Sequence, residues 1–190
     1  ALHLHHNLLG NAVAKPETYC SPYLGGCFSA DQIESALRSF GEKIAVTEPS
    51  DAAQAAAQDL MEDRVIAWFE GRSETGPRAL GHRSILANPR HAKNWERVNE
   101  LKSRESWRPF APAVLEDQAA EWFEGCPLPS PYMLFTAEVK SPDLPAITHV
   151  DGSSRIQTVD PTCGRFYDLL KAYAELSGIP VVMNTSFNGP

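Results

Sequence analysis

The chain has 190 residues, of which 43% are hydrophobic and 22% charged, ordinary proportions for a globular domain with its own core. Its net charge of −7 gives no general attraction to nucleic acids or anionic membranes, and no apolar run suggests a membrane-spanning helix. The four cysteines form no CxxC pair, so they predict neither a zinc site nor a disulfide framework. A cytoplasmic location with reduced thiols is therefore expected.

The beginning of the chain is expected to belong to something larger. Residues 1–12 look like the last helix of a preceding domain, and residues 13–28 form a proline-containing linker. The next segment, FSADQIESALRSFG, carries helix signals at both ends. Ser29 is a plausible N-cap, Gln32 completes a capping box, and Gly41 lies just past the last turn.

The remaining elements are mixed along the chain, so residues 29–190 are predicted to form one α/β or α+β domain on a twisted mixed sheet. The chain stops just after a strand, where another element is expected, so this domain is predicted to be truncated at its carboxyl end. Helices are predicted at 50–63, 91–101, 116–125 and 163–178. Strands are predicted at 43–48, 65–71 (buried), 132–139, 146–150, 155–159 and 179–184.

Residues 71–90, GRSETGPRALGHRSILANPR, follow a predicted strand and set four arginines among glycines and prolines. Glycine permits close approach and unusual dihedrals, while the planar guanidinium group pairs with phosphate or carboxylate oxygens. Across residues 71–108 there are nine lysines and arginines against four glutamates, a local charge of +5 in an acidic chain. This excess suits a small polyanion better than a long nucleic acid.

Two further clusters of polar residues follow. In KSRESWRPFAP, Lys102, Arg104 and Arg108 can share one face of an extended segment, where Glu105 cannot neutralise all three charges. The last cluster stands in HVDGSSRIQTV and at the end of the final strand, in MNTSFNGP. It comprises Ser154, Arg155, Asn184, Ser186 and Asn188.

Each cluster also has a plain structural explanation, because isolated arginines are usually solvated and glycine-proline motifs are usually turns. Their occurrence together, in this order, is what indicates a site. The histidines His3, His5 and His6 are expected to be exposed on a helix, with no metal bound in this chain. His149, beside Asp151, can be structural or can line the site.

GPRALGHRSIL, KSRESWRPFAPAVL, HVDGSSRIQTV and VVMNTSFN resemble, in order, the carboxy-terminal domain of the NodU/TobZ-type O-carbamoyltransferases. The resemblance implies a YrdC-like α/β domain, a twisted open mixed sheet with flanking helices around a basic cavity. It also implies that the domain condenses carbamoyl phosphate with ATP, with Mg²⁺, to carbamoyl-adenylate and pyrophosphate.

The same resemblance implies a partner. A Kae1-like amino-terminal domain of the full-length chain, carrying iron or another metal, would transfer the carbamoyl group to a hydroxyl of a small-molecule acceptor, as in natural product biosynthesis. Residues 1–12 would be the last helix of that domain. No membrane or nucleic-acid partner is expected, and the acceptor cannot be identified from this chain.

The family's functional residues fall on the clusters described above. Lys102 and Arg108 match its basic pair, to which we assign charge neutralisation between the two anionic substrates. Arg78, Arg83 and His82 are predicted to bind carbamoyl phosphate. Predicted nucleotide-binding residues are Arg104, Ser154, Arg155, Asn184, Ser186 and Asn188. The alternatives are a nucleotide- or RNA-binding YrdC-like module without catalysis, and a domain that only docks onto its partner.

Overall fold

The structure is a computed structural model that describes residues 3–12 and 21–188. Part of the predicted linker, residues 13–20 with Cys20, lies outside the described residues, as do residues 1–2 and 189–190. Within residues 1–12, which are predicted to be the last helix of a preceding domain, His3–Leu8 form one short π-helix. No helix within the described ranges combines the length and apolar character needed to cross a membrane.

Five α-helices and eight strands make up the described fold. The helices are α1 (Ala30–Phe40), α2 (Ala52–Met61), α3 (Lys93–Leu101), α4 (Ala119–Trp122) and α5 (Arg165–Ser177), with 3-10 turns at Gly41–Lys43, Glu116–Gln118 and Pro161–Cys163. The strands are β1 (Ile66–Phe69), β2 (Arg83–Ala87), β3 (Ala111–Leu115), β4 (Phe123–Glu124), β5 (Thr136–Val139), β6 (Ser153–Arg155), β7 (Gln157–Val159) and β8 (Val181–Ser186).

Local sequence explains where several helices begin and end. The predicted capping box of α1 is confirmed, because the Ser29 hydroxyl accepts from Gln32 N and the Gln32 side chain accepts from Ser29 N. Helix α2 begins after Asp51, whose carboxylate accepts from the first free amides. Helix α5 ends at Gly178, whose φ of 73° places it in the left-handed region that glycine favours.

The predicted mixed sheet is confirmed. Its five strands lie in the order β1-β2-β8-β3-β7, with antiparallel neighbours except for the parallel pair β3 and β7. In the central strand β8, Asn184 pairs with Leu86 on one side and with Ala111 on the other. A second sheet, antiparallel β4-β5-β6, is joined to the first where the chain passes from β6 to β7 at Ile156.

The large sheet buries apolar side chains on both faces. Alternate residues of a strand point to opposite faces, and β8 shows this clearly. Val182 belongs to the apolar cluster under α2 and α5, whereas Val181 and Met183 belong to a second cluster formed with Val98 of α3 and with the small sheet. Asn184 follows Val182 by two residues, so it extends the face covered by α5 beyond the apolar core.

Two predicted strands are wrong. Lys43 ends a 3-10 turn, and residues 44–48 after it pair with no described strand, so Ile44 and Val46 stay exposed. An apolar run becomes a strand only when a neighbour supplies ladder hydrogen bonds. Residues 146–150 lie in turns. Ala146 and Ile147 are buried there although they pair with no strand, so their apolar character reflects burial in the core and not membership of a sheet.

Other predicted elements exist with different bounds. Strand β1 is half-exposed, not buried, and the strand predicted at 132–139 is reduced to β5. The helix predicted at 116–125 is a 3-10 turn followed by the single turn α4. It ends early because Phe123 and Glu124 pair with β5. The strand predicted at 155–159 is divided between β6 and β7.

Candidate functional site

The arginine-rich loop, residues 70–82, connects β1 to β2 and is held by one of its own carboxylates. Glu74 Oε1 accepts hydrogen bonds from three backbone amides, Leu80 N at 2.7 Å, His82 N at 2.9 Å and Arg83 N at 3.2 Å. Converging amides of this kind would otherwise attract an anion. The carboxylate of Glu74 therefore takes three amides that could otherwise bind an anion.

Gly81 is required where this loop passes over the core. Its φ is +105°, and a Cβ built there would lie 2.1 Å from a ring carbon of Phe166 at the start of α5. No larger residue fits without displacing that buried ring. At Gly81 the loop therefore packs directly against the start of α5.

His82 is buried within the protein's own contacts. Its ring stacks on Tyr23, with centroids 3.6 Å apart, and its Nδ1 lies 2.7 Å from the Arg72 carbonyl oxygen. The other nitrogen, Nε2, lies 3.3 Å from a carboxylate oxygen of Glu70, and burial raises the pKa of that carboxyl group. The predicted contact between His82 and carbamoyl phosphate stays a prediction, although the ring is not among the residues lining the cavity described below.

Arg83 likewise binds mainly to backbone. Its guanidinium group lies 3.6 Å above the Phe69 ring and donates to the carbonyl oxygens of Glu70, Gly71 and His82. These bonds leave few donors for a ligand. Its predicted role in binding carbamoyl phosphate stays a prediction, and the structure gives the side chain a second role in holding both ends of the arginine-rich loop.

The arginine-lined cavity, of about 470 Å³, opens beside this loop at the carboxyl end of β8. It collects residues from five separate parts of the chain, which is why several predicted site residues come together here. Its polar lining comprises Arg78, Arg104, Arg108, Arg155, Asn184, Thr185, Ser186 and Asn188.

The outer recess, a cavity of about 460 Å³, shares Arg104, Arg108, Ser186 and Asn188 with the arginine-lined cavity and adds Lys102, Ser103 and Glu105. The shared residues make the two cavities neighbours along one surface. Lys102 Nζ donates to the Ser186 carbonyl oxygen and to Asn188 Oδ1 at 2.7 Å. Lys102 thus ties the end of α3 to the segment after β8.

Positive charge in these two cavities is poorly compensated. Burial lowers the pKa of Lys102, and the charges of Arg104 and Arg108 lower it further. Burial and the neighbouring Arg78 likewise lower the pKa of Arg155. Glu105 is the one carboxylate among the residues lining the cavities, 3.7 Å from Arg108. Such an arrangement is stabilised by a bound polyanion.

Two of the arginines differ in how firmly they are held. Arg104 lies 4.2 Å above the Phe110 ring and donates to Asn99 Oδ1, so its position is set by packing. Arg78 has no hydrogen-bond or ion-pair partner among the described residues, and its charge is left for a ligand. Arg155 has a buried Nε with no hydrogen-bond partner in the described part of the chain.

The predicted polar residues Asn184 and Ser154 are both buried. Asn184 Nδ2 donates to the Ala79 carbonyl oxygen and to Gln157 Oε1, both at 3.2 Å, on the floor of the arginine-lined cavity. Ser154 instead donates to the Ile147 carbonyl oxygen at 2.7 Å and does not line either cavity. Its predicted contact with the nucleotide stays a prediction.

The sequence analysis missed Glu74, Tyr23 and Gln157, which hold the site together. Glu74 lies inside the arginine-rich loop, and its being the single carboxylate in residues 71–90 was the available signal. Nothing in the sequence pairs Tyr23 with His82. His149 contacts Ser153, with 3.2 Å between its Nδ1 and the hydroxyl oxygen. The described residues hold no group of three or more histidines, cysteines, aspartates or glutamates arranged to bind a metal.

Comparison with known proteins gives a consistent picture. Residues 57–190 match the family model described as the carbamoyltransferase C-terminus. Nodulation protein NolNO of Sinorhizobium fredii is 43% identical over 182 residues, covering 90% of this chain and 26% of that protein. The 3'-hydroxymethylcephem-O-carbamoyltransferase of Amycolatopsis lactamdurans is 47% identical over 128 residues, covering 66% of this chain and 24% of that protein.

Nodulation protein NolO of Bradyrhizobium diazoefficiens is 43% identical over 183 residues, covering 91% of this chain and 32% of that protein. The chain thus spans about a quarter to a third of the length of these three curated relatives.

Proposed function

The chain belongs to the NodU-type carbamoyltransferases, as their carboxy-terminal domain, and we propose that it activates the carbamoyl group as carbamoyl-adenylate. The observation that carries this proposal is the convergence of Lys102, Arg78, Arg104, Arg108 and Arg155 around two neighbouring cavities with a single lining carboxylate. Two phosphorylated substrates would supply the negative charge that these five cations lack.

The proposed reaction consumes one molecule of water. Carbamoyl phosphate, ATP and water give carbamoyl-adenylate, pyrophosphate and inorganic phosphate. A carbamoyl oxygen forms the new bond to the α-phosphorus, the bond from that phosphorus to pyrophosphate breaks, and the phosphoryl group of carbamoyl phosphate passes to water. Both leaving groups are anions, so the reaction depends on positioning and charge stabilisation more than on a nucleophilic side chain.

The lining residues can divide this work. We assign Arg78 to carbamoyl phosphate, and Arg104, Arg155, Asn184, Ser186 and Asn188 to the nucleotide. Lys102 and Arg108 would neutralise charge where the substrates meet. Two unit charges 4 Å apart interact by about 4 kcal/mol at the effective dielectric constant of a protein surface, so uncompensated phosphates would oppose each other strongly.

Mg²⁺ fits this site as an ion carried by ATP. The lining offers one carboxylate, Glu105, which is too few oxygen ligands for a cage built by the protein. When bound, the ion would neutralise part of the phosphate charge, which is the chemistry that Mg²⁺ supplies to nucleotide substrates. Lys102 and the arginines would hold the phosphate oxygens that the ion leaves free.

We also propose a YrdC-like fold for this domain and a partner, the Kae1-like amino-terminal domain with its metal site. That partner would pass the carbamoyl group to a hydroxyl of a small-molecule natural product. Helix α1 supports the partner, because Ile33, Leu37 and Phe40 lie on one face of this helix and are exposed. We propose that the amino-terminal domain covers this face. Hydrogen exchange in the full-length protein tests the contact, since amides of α1 exchanging as fast as those of an isolated helix would contradict it.

Release of pyrophosphate tests the function. The protein is incubated with ATP, Mg²⁺ and carbamoyl phosphate, and pyrophosphate and inorganic phosphate are measured. Both are expected in equal amounts, and pyrophosphate release should stop when carbamoyl phosphate is omitted. The substitution Arg155→Met should abolish most of the release. Arg64→Met is the matched control, because Arg64 forms surface ion pairs with Asp59 and Glu62.

The outcomes separate the alternatives. ATP binding without pyrophosphate release would overturn catalysis and favour a nucleotide-binding module. Binding of RNA in preference to ATP would favour the RNA-binding alternative. If neither ATP nor carbamoyl phosphate binds, the cavities are not a substrate site and the domain serves only to dock.

A further inference from the structure

The part of the arginine-rich loop that carries Arg78 is closed by Glu74. This carboxylate and the Leu80 amide that binds it stand at the two ends of a seven-residue segment, with Arg78 between them. The bond joining these ends is the shortest of the three that Glu74 Oε1 accepts, at 2.7 Å. The carboxylate thus acts as a bridge across the base of the segment.

The first end of this segment is also fixed from outside the loop. Residues 22–26 run alongside residues 73–75, with Gly25 N donating to the Ser73 carbonyl oxygen at 2.9 Å and Ser73 N donating to that of Gly26 at 3.0 Å. Thr75 N donates to the Pro22 carbonyl oxygen at 2.7 Å. The backbone on both sides of Glu74 is therefore held in place.

The second end depends on the carboxylate of Glu74 for its amide hydrogen bonds. The amides of Leu80 and His82 point to Glu74 Oε1, and no other acceptor for them is present among the described residues.

Side chains from elsewhere in the fold restrain the carbonyl groups at this end. The Leu80 carbonyl oxygen accepts from the Tyr23 hydroxyl and from Gln157 Nε2, both at 2.9 Å, and the Ala79 carbonyl oxygen accepts from Asn184 Nδ2 at 3.2 Å. These bonds leave the Leu80 amide to Glu74.

Arg78 needs a well-placed backbone because no bond holds its side chain. Its guanidinium group lines the arginine-lined cavity without a hydrogen-bond or ion-pair partner in the described chain, and its interaction with Arg155 is repulsive. Only the backbone of the loop opposes that repulsion. A loop released at Leu80 would let Arg78 move away from Arg155 toward solvent.

We propose that Glu74 is a positioning residue, which holds Arg78 in the cavity against the repulsion of Arg155 so that a phosphorylated ligand meets both arginines. This inference rests on the proposed function only for the identity of the ligand, because the positioning itself applies to any phosphate-containing anion. Glu74 would act through Arg78 and would not touch the substrate.

A double-mutant cycle tests the proposal, with inorganic pyrophosphate as the first probe and carbamoyl phosphate as the second, and with affinity measured by calorimetry. Glu74→Ala should weaken pyrophosphate binding roughly tenfold, because a displacement of about 1 Å in a positioned group can cost that much or more. Glu74→Gln keeps an acceptor oxygen and should restore part of the affinity. In the Arg78→Met background, Glu74→Ala should cause no further loss.

Asp51 provides the matched control, since its carboxylate also accepts hydrogen bonds from backbone amides, at the start of α2. Asp51→Ala should lower the thermal stability without weakening pyrophosphate binding. Thermal melts identify variants that fail to fold, and Glu74→Gln replaces Glu74→Ala in the cycle if the latter does not fold.

Independent and additive effects of Glu74 and Arg78 would overturn the positioning role, even if pyrophosphate binds well. Binding of pyrophosphate with the expected coupling, but no binding of carbamoyl phosphate, would overturn the proposed ligand and leave the positioning intact. If the wild-type protein binds neither anion, both inferences are wrong.

Discussion

Arg78 lies in the arginine-rich loop and Arg83, five residues later, begins β2, and the structure predicts opposite consequences for replacing them. Arg83→Met removes four hydrogen bonds to backbone carbonyl oxygens, one of them a long bond of 3.5 Å to Gly26, and the contact with the Phe69 ring. Bonds of this charge-assisted kind are worth about 1.5 kcal/mol each and an exposed cation–π contact about 0.5 kcal/mol. Because the side chain is half-exposed and water can replace part of these contacts, we expect a loss of about 2–3 kcal/mol in the free energy of unfolding.

Arg78→Met should behave in the reverse way. Arg78 has no hydrogen-bond or ion-pair partner within the described ranges, so its replacement should change the free energy of unfolding by about 0.5 kcal/mol or less. A charge-assisted bond to a phosphate is worth about 1.5–3 kcal/mol, which corresponds to roughly 10- to 150-fold in affinity.

Urea unfolding and calorimetric titration with carbamoyl phosphate, carried out on both variants, check this pair of expectations. Affinity should be corrected for the folded fraction, and for Arg83→Met it should then stay within about twofold of the wild type. A folded Arg83→Met protein that loses its affinity while keeping its stability would refute the reasoning. It would place Arg83 on the ligand, as the family resemblance alone implies.

Two other expectations concern charge and packing. Burial and two arginines lower the pKa of Lys102 in the free protein, and a bound anion raises it again. Binding of pyrophosphate should therefore take up a proton. The affinity should weaken as the pH rises from the lowered pKa toward 10.5. Affinity measured against pH checks this, and a slope unchanged in Lys102→Met would assign the proton to another group. Gly81→Ala should lower the free energy of unfolding by about 3 kcal/mol through its clash with Phe166 and its positive φ. The control Gly76→Ala, where a Cβ meets nothing within 4 Å, should show only the cost of its backbone conformation, and equal losses in the two melts would contradict the clash.

We expect the proposed site to bind through side chains, because three backbone donors of its loop are already used. In many phosphate sites, glycine-rich loops offer amides directly to the ligand. Here Glu74 takes three such amides. The Arg78 side chain therefore reaches the cavity from a loop whose amides are already bonded, and a long side chain would suit the two proposed substrates, which differ in size.

Local signals in the sequence determined much of the fold. The capping box of α1, the glycine at the end of α5 and the apolar periodicity of these segments act over a few residues, and all three appear in the structure. Residues 43–48 and 146–150 were misread as strands, because whether an apolar run joins a sheet depends on a neighbour distant in the chain.

The sequence by itself also determined that cations cluster in the segments of residues 71–108, and that amides and hydroxyls follow the last strand. The tertiary structure alone decided which of them face a cavity. Arg78 faces the arginine-lined cavity, whereas Arg83 is held by carbonyl oxygens at the ends of its loop. The Ser154 hydroxyl donates to the Ile147 carbonyl oxygen, whereas Arg155, the next residue, reaches the cavity. Neighbouring residues of a strand point to opposite faces, and the partners that fill each face come from parts of the chain far away in sequence.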